Sequence, residues 1–462
     1  MNKTLLCIIL LFAAASLNAQ DVTGSWEGML EIQSARLPIV FHIERNDSLL
    51  TSTMDSPDQG AFGLPTTRSS FRENKLEIIA SGLGLLYRGT LENDTITGTF
   101  SQGGISFPLV LRRSGKPLLQ RPQTPQEPLP YISEEVIIPN SDKSFSLSAT
   151  LTLPDSPGVF PAVILIAGSG PNDRDETLYG HKPFLVISDH LTRNGFAVLR
   201  YDKRGVGKST GNFDKATLRD FADDATMALN YLRQRKEIDN LKIGLLGHSE
   251  GGIVAPMVAS VEKEVRMMVL MAAPGITGIE VVLDQNEISM RQQAMEPGTI
   301  EKLQMFNREM FESLLSWDGS ENHRTALRDK LLHLWNQLPI LLKMKINKES
   351  YLRSQFNAMI KPGYRSFLAV DPASYLEKVS CAVLAVNGEN DLQVTAEKNL
   401  TAVKKALGKG GNNCMTTKVY PGLNHLFQES TTGRVDEYAK ITQTISPEVL
   451  SDITNWLIKE TK

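Results

Sequence analysis

Ile243-Gly244-Leu245-Leu246-Gly247-His248-Ser249-Glu250-Gly251-Gly252 is the stretch on which the reading of this chain turns. Ile243 to Leu246 suits a buried strand, and Ile253-Val254-Ala255 resumes the apolar character shortly after Ser249. Between them stands Gly-x-Ser-x-Gly. The pattern predicts a strand that stops at Gly247 and turns sharply into a helix after Ser249. Such a turn strains the serine backbone, and glycines two positions either side let neighbouring backbone pass close by. The hydroxyl then stands exposed above the sheet over a helix N-terminus, as a nucleophile requires. Pro256 is awkward inside that helix and is expected to kink it.

A serine nucleophile needs a base, and the base needs an orienting acid. Two later strands run into loops that supply them. Val383-Leu384-Ala385-Val386 leads into Asn387-Gly388-Glu389-Asn390-Asp391, and Lys418-Val419-Tyr420 leads into Pro421-Gly422-Leu423-Asn424-His425. His425 is the expected general base. Asp391 is preferred over Glu389 as the acid, because it lies further into its loop and can reach back to the imidazole. A tetrahedral intermediate needs two donors. The backbone N–H of Glu250 is one. The other is expected from Gly168-Ser169-Gly170-Pro171, after the apolar run Ile164 to Ala167, with Ser169 the choice and Gly170 the alternate. Asp173-Arg174-Asp175 beyond it is read as ion pairs holding the loop. Tyr201-Asp202-Lys203-Arg204-Gly205-Val206-Gly207-Lys208-Ser209 imitates a phosphate loop but carries Asp202 where the first glycine must be, so a structural turn is expected.

The chain has 462 residues, enough for two or more domains, and 41% hydrophobic with 22% charged residues marks it as globular. A net charge of −3 with no polybasic run argues against nucleic acid as a partner. Seven scattered histidines show neither H-E-x-x-H nor C-x-x-C spacing, so no metal and no cofactor is expected. Lys3, the apolar run Leu5 to Ala15 and Leu17-Asn18-Ala19 predict a signal peptide over residues 1–19, and hence a periplasmic or secreted protein. That run is shorter than the roughly 20 residues of a membrane anchor. Cys381 and Cys414 are read as two free thiols in preference to a disulfide.

Residues 20–113 alternate apolar and polar positions, as in Ile39 to Glu44 and Lys75 to Ile79, and Asn93-Asp94 marks a hairpin. This predicts a small antiparallel β-barrel or sandwich. Its His42 is read as a strand-face residue, and Trp26, Phe41 and Tyr87 as core. What the domain binds is not legible. Residues 114–130, with five prolines, are read as a semi-rigid linker. From residue 131 to 462, strands alternate with helices, which predicts a mostly parallel sheet with helices on both faces. Helical patterns over 278–375 predict a cap inserted between two strands. Its apolar cluster includes Trp335, Leu338, Leu341, Leu342 and Met344, which either line a pocket or pack the cap's own core.

The region from Glu134 onward resembles the α/β hydrolases, in the branch of serine aminopeptidase-like and prolyl-oligopeptidase-like esterases. The matching residues are Gly168 to Asp175, Asp202 to Ser209, Gly247 to Gly252, Asp391 and His425. The first two stretches are similar to those of exported or bacterial carboxylesterases, and the β domain resembles modules fused ahead of such enzymes. Ala167-Gly168 replaces the usual His-Gly start of the oxyanion loop. The resemblance implies hydrolysis of a small-molecule carboxylic ester through an acyl-enzyme without a cofactor, with short acyl chains expected. A peptidase or amidase with the same triad, and a binding protein on a dead scaffold, are the alternatives.

Overall fold

The computed structural model describes residues 21–32, 35–46, 49–56, 61–102, 105–114, 121–337, 343 and 348–462. The expected signal peptide and residues 115–120 of the expected linker lie outside them. The chain forms two compact units, Met1–Gln120 and Arg121–Lys462.

The N-terminal unit is one antiparallel sheet of nine strands. From edge to edge these are Ala61–Pro65, Leu49–Ser56, Ala35–Asn46, Gly24–Ile32, Ile105–Arg113, Thr95–Gln102, Leu85–Glu92, Lys75–Ala80 and Arg68–Arg72. Alternation decides which face goes inward: Leu85, Tyr87 and Leu91 are buried while Arg88, Thr90 and Glu92 are exposed. The sheet curls until Ser52 and Ser69, near its opposite edges, share a hydroxyl hydrogen bond of 2.7 Å, so the unit is a barrel and not a sandwich. Trp26, Phe41 and Tyr87 fill its core, with the Phe41 and Tyr87 rings 5.5 Å apart. His42 lies on a strand face between Ser25 Oγ (2.8 Å) and Asp55 Oδ2 (2.7 Å).

The second unit is built on eight strands in the order Tyr131–Pro139, Ser146–Pro154, Ala197–Tyr201, Phe160–Ile166, Ile238–His248, Met267–Met271, Ala382–Gly388 and Met415–Tyr420. The first two are antiparallel additions and the other six run parallel. Successive side chains of a central strand feed two separate cores. Ile164, Ile166 and Leu245 meet the helices Leu218–Arg233, Gly251–Ala259 and Ala396–Lys409 on one face. Val163, Leu165 and Leu246 meet Pro183–Arg193 and Pro447–Glu460 on the other. Pro183 opens its helix at the first position, because a missing N–H is no loss there. The helix after Ser249 runs through Pro256 to Ala259.

The stretch read as a linker is in part fastened to this unit. Arg121 donates to the carbonyls of Tyr179 (2.8 Å), Ala439 (3.0 Å) and Ile441, and Gln123 bonds Thr444 N (2.6 Å) and Ile445 O (2.7 Å). Proline content predicted stiffness but could not reveal docking. Cys381 and Cys414 are free, and burial pushes the Cys381 thiol up to about 12.

Between the strands ending at Met271 and beginning at Ala382 lies the helical cap: Gly278–Gln292, Pro297–Leu315, Glu321–Gln337, Lys348–Met359 and Pro362–Ala369. Its helices bury Leu303, Phe311, Leu314, Leu327, Leu331 and Phe356 against one another. Trp335 is buried, while Leu338, Leu341, Leu342 and Met344 lie outside the described residues. Leu334 beside it lines, with Met290, Met310 and Phe311, a cavity of about 250 Å³. The first cap helix reaches the sheet's carboxyl edge, where Gln285 Nε2 donates to Gln393 O (2.9 Å).

Candidate active site

Ser249 follows the strand Ile238–His248 and has φ +53°, in the left-handed region that a serine adopts only under constraint. Its N–H is held by Met271 O at 2.9 Å. The flanking glycines are steric necessities. A Cβ on Gly247 would lie 2.1 Å from Gly251 O, and one on Gly251 would lie 2.0 Å from Ile166 O. Helix and sheet therefore meet backbone to backbone on both sides of the serine.

The strands Ala382–Gly388 and Met415–Tyr420 deliver Asp391 and His425 to the same carboxyl edge of the sheet. His425 Nδ1 and Asp391 Oδ2 are 2.8 Å apart, and both side chains are almost fully buried. The carboxylate is held on every side. Oδ1 accepts from the N–H groups of Gln393 (2.8 Å) and Val394 (2.9 Å), while Oδ2 also accepts from Asn387 Nδ2 (3.1 Å). Glu389, the alternative acid, instead accepts from Gly422 N at 3.1 Å in an exposed position. His425 Nε2 and Ser249 Oγ make no hydrogen bond to each other or to another described residue. Ser249 is joined to the His425 loop through its neighbour: His248 Nε2 lies 3.1 Å from His425 O, and the two imidazoles are 4.9 Å apart.

The loop Gly168 to Pro171 lies against the elbow, and a Cβ on Gly168 would sit 3.2 Å from Ser249 Cβ. Gly168 N is spent on Glu176 Oε1 (2.6 Å). The N–H groups of Ser169 and Glu250 have no acceptor among the described residues. Two N–H groups without an acceptor among the described residues thus belong to the residue after Ser249 and the residue after Gly168.

Charged residues that the sequence reading assigned to turns and ion pairs brace this loop. Arg174 bonds both carboxylate oxygens of Glu135 (2.8 Å each) and of Asp202 (3.1 and 2.9 Å), and Arg200 pairs with Asp175. Burial alone would raise the Asp202 carboxyl, but Arg174 and two backbone N–H groups hold it below the usual range. The would-be phosphate loop folds around that carboxylate, with Lys208 N donating at 3.0 Å. Lys203 is buried; its ammonium reaches Gly168 O and Glu250 Oε1 (3.1 Å), tying the Gly168 to Pro171 loop to the residue after Ser249. Arg204 pairs with Asp220 and Asp224, and burial pushes Asp224 up to about 6 against that pairing. Lys203, Glu176, His248 and Asn387 were not singled out by sequence. The available signal was charge within Asp173 to Glu176 and Asp202 to Arg204, next to strands with no solvated face. Among the described residues no group of three or more His, Cys, Asp or Glu is placed to hold a metal ion, and no helix is long and apolar enough to cross a membrane.

A strained serine between two glycines, at the carboxyl edge of a mostly parallel sheet with helices on both faces, gives the second unit the α/β-hydrolase fold. Several known proteins are similar to this chain. The family model described as serine aminopeptidase, S33, matches residues 184–308, and that of the prolyl oligopeptidase family matches residues 339–445. Esterase EstD of Thermotoga maritima is 26% identical over 397 residues, covering 85% of this chain and 84% of that protein. Mouse acyl-coenzyme A thioesterase 1 is 29% identical over 192 residues, 42% of this chain and 39% of its own length. Among solved structures, the α/β hydrolase GrgF from Penicillium sp. sh18 is 16% identical, with a TM-score of 0.43 over 71% of this chain and 99% of that one.

Proposed function

We propose that this chain is an exported serine hydrolase that cleaves small carboxylic esters, with short acyl chains preferred, through an acyl-enzyme. The observation that carries the reading is the 2.8 Å His425–Asp391 pair at the sheet edge that also presents Ser249. Asp391, fixed by four hydrogen bonds, keeps the proton of His425 on Nδ1 and leaves Nε2 to take the proton of Ser249 as Oγ attacks the ester carbon. The tetrahedral oxyanion is met by the N–H groups of Glu250 and Ser169. His425 then protonates the departing alcohol, and water repeats the sequence to release the acid. No cofactor takes part. Similarity to esterase EstD over most of both chains supports the substrate class, and the segment over residues 1–19 supports export.

The test is turnover of p-nitrophenyl esters with Ser249 mapped by a fluorophosphonate label. Ser249→Ala should lose several orders of magnitude in kcat; wild-type-like turnover by the alanine variant would refute the assignment. The second reading, a peptidase or amidase, is favoured by the two family models, both named for peptidases. Parallel assays on an ester and an aminoacyl amide separate the two.

A further inference from the structure

His248 is buried directly behind Ser249, and the triad does not use it. Its Nδ1 lies 3.0 Å from Glu176 Oε1, and its Nε2 lies 3.1 Å from the carbonyl oxygen of His425. Both partners are acceptors. A neutral imidazole carries one N–H and can satisfy only one of them, so a ring with both nitrogens protonated is needed to satisfy both. Glu176 is equally committed: the same oxygen accepts the Gly168 N–H at 2.6 Å. The residue is 4% exposed, and its Oε2 has no partner among the described residues. A buried carboxylate with so little solvation needs a counter-charge, and His248 is the cation beside it.

Resting on the serine-hydrolase reading above, we propose that His248 and Glu176 form a second, ion-paired histidine–carboxylate dyad that positions the oxyanion loop and the base together. One end of the dyad fixes Gly168, and so the Ser169 N–H beside it. The other fixes the backbone of His425. The link between them is the residue before the nucleophile. All three moving parts of the reaction are thereby held to one proton. These are positioning residues, since neither touches the reacting atoms.

The surrounding charges agree. The imidazole faces Glu176 from the loop after Gly168, and Asp391 and the His425 ring from the two acid–base loops. Lys203 is engaged with Glu250 and Gly168 O. Burial works against a charged His248, but the charge and hydrogen bond of Glu176, the His425 carbonyl and Asp391 outweigh it, and its pKa is raised above the ordinary 6.5. When the proton leaves at high pH, one nitrogen lone pair must confront an acceptor, and the oxyanion loop or the His425 loop shifts. Activity therefore has an alkaline limb that belongs to the dyad.

The experiment is the pH profile of kcat and KM for a p-nitrophenyl ester in the full chain. Glu176→Gln removes the counter-charge, so the alkaline limb should move at least one unit toward acid. At pH 8, kcat should fall about tenfold with KM little changed, as for the loss of one hydrogen bond to a charged group. His248→Asn cannot titrate and should show no such limb, with a lower plateau. An alkaline limb unchanged in both folded variants would overturn the proposal. The ring nitrogens of ¹⁵N-histidine-labelled Ser249→Ala protein provide a measurement that needs neither variant. Both ring nitrogens of His248 should stay protonated above the ordinary 6.5, and loss of either proton at or below that pH would overturn the dyad. Turnover surviving in Ser249→Ala would instead sink the serine reading, so the two failures are distinct.

Discussion

Replacing Asp391 by asparagine changes one atom, and the structure dictates which way that atom turns. If the new amide nitrogen took the Oδ1 position, it would face two backbone donors, the N–H groups of Gln393 and Val394. If it takes the Oδ2 position, it faces the amide of Asn387 and the His425 ring. The second arrangement sets a donor against only one fixed donor, so the introduced amide points its NH₂ at His425. Nδ1 must then act as acceptor, the ring proton moves to Nε2, and the nitrogen facing the serine side can no longer take a proton. A base locked in the wrong tautomer costs about 10³ to 10⁴ in kcat, or about 4–5.5 kcal/mol of transition-state stabilisation. The Asn387 amide, now opposed by the amide introduced at position 391, adds an unmade buried hydrogen bond, about 1–3 kcal/mol of fold stability. The assay is kcat/KM on p-nitrophenyl acetate beside a urea melt of each variant. Glu389→Gln serves as the control, since its side chain accepts only an exposed Gly422 N–H and should change activity by less than about threefold. Activity of Asp391→Asn within tenfold of wild type, or a larger loss in Glu389→Gln, would refute the reasoning.

Gly251→Ala should be among the most damaging single-methyl changes, because its Cβ falls 2.0 Å from Ile166 O. Overpacking there should cost about 3 kcal/mol in a urea melt, and a melt within about 1 kcal/mol of wild type would contradict the backbone contact. A chain begun at Arg121 should fold and keep activity on a soluble ester. One begun at Pro130 should melt at lower temperature, since it strips partners from the carbonyls of Tyr179, Ala439 and Ile445. Equal melting temperatures would show that these bonds contribute nothing. His181 is wholly buried, and burial lowers its pKa from 6.5 to about 4. Its neutral form therefore stabilises the fold fully above about pH 6.5, and that stability drains away as pH falls toward 4, where the unfolded chain binds the proton first. His181→Gln should flatten the pH dependence of the urea midpoint across this window, and an unchanged slope would exclude His181 as its source.

Much of the fold was legible because its signals are local. Ile164, Ile166, Val383 and Val386 sit in runs too uniformly apolar for anything but strands covered on both faces. The order of Ser249, Asp391 and His425 follows from strands that end at one edge. What escaped the sequence depends on which loops meet. Nothing in Asp202-Lys203-Arg204 reveals that the lysine turns inward to Gly168 O while the arginine pairs with Asp224. Glu176 reads as one more acid in a charged loop until its carboxylate is seen against Gly168 N and His248. Likewise, Pro122, Pro125, Pro128 and Pro130 announce a stiff segment, yet its attachment rests on Arg121 and Gln123 finding carbonyls more than 300 residues away in sequence.

The placement of the cap has a consequence for the chain as it is made. The strand Met267–Met271 pairs with Ala382–Gly388, and every cap helix is synthesised between them. At about 5–20 residues per second, that edge waits on the order of ten seconds for its partner. Through this interval an apolar run of Met-Met-Val-Leu-Met ends the growing sheet with its hydrogen-bonding groups open. The cap, rich in contacts between neighbouring helices, can condense by itself meanwhile, since local contacts form fastest. Asp391 and His425 emerge only after it. On the mechanism proposed above, the serine is thus born long before the groups that would arm it, and a nascent chain carries an inert hydroxyl.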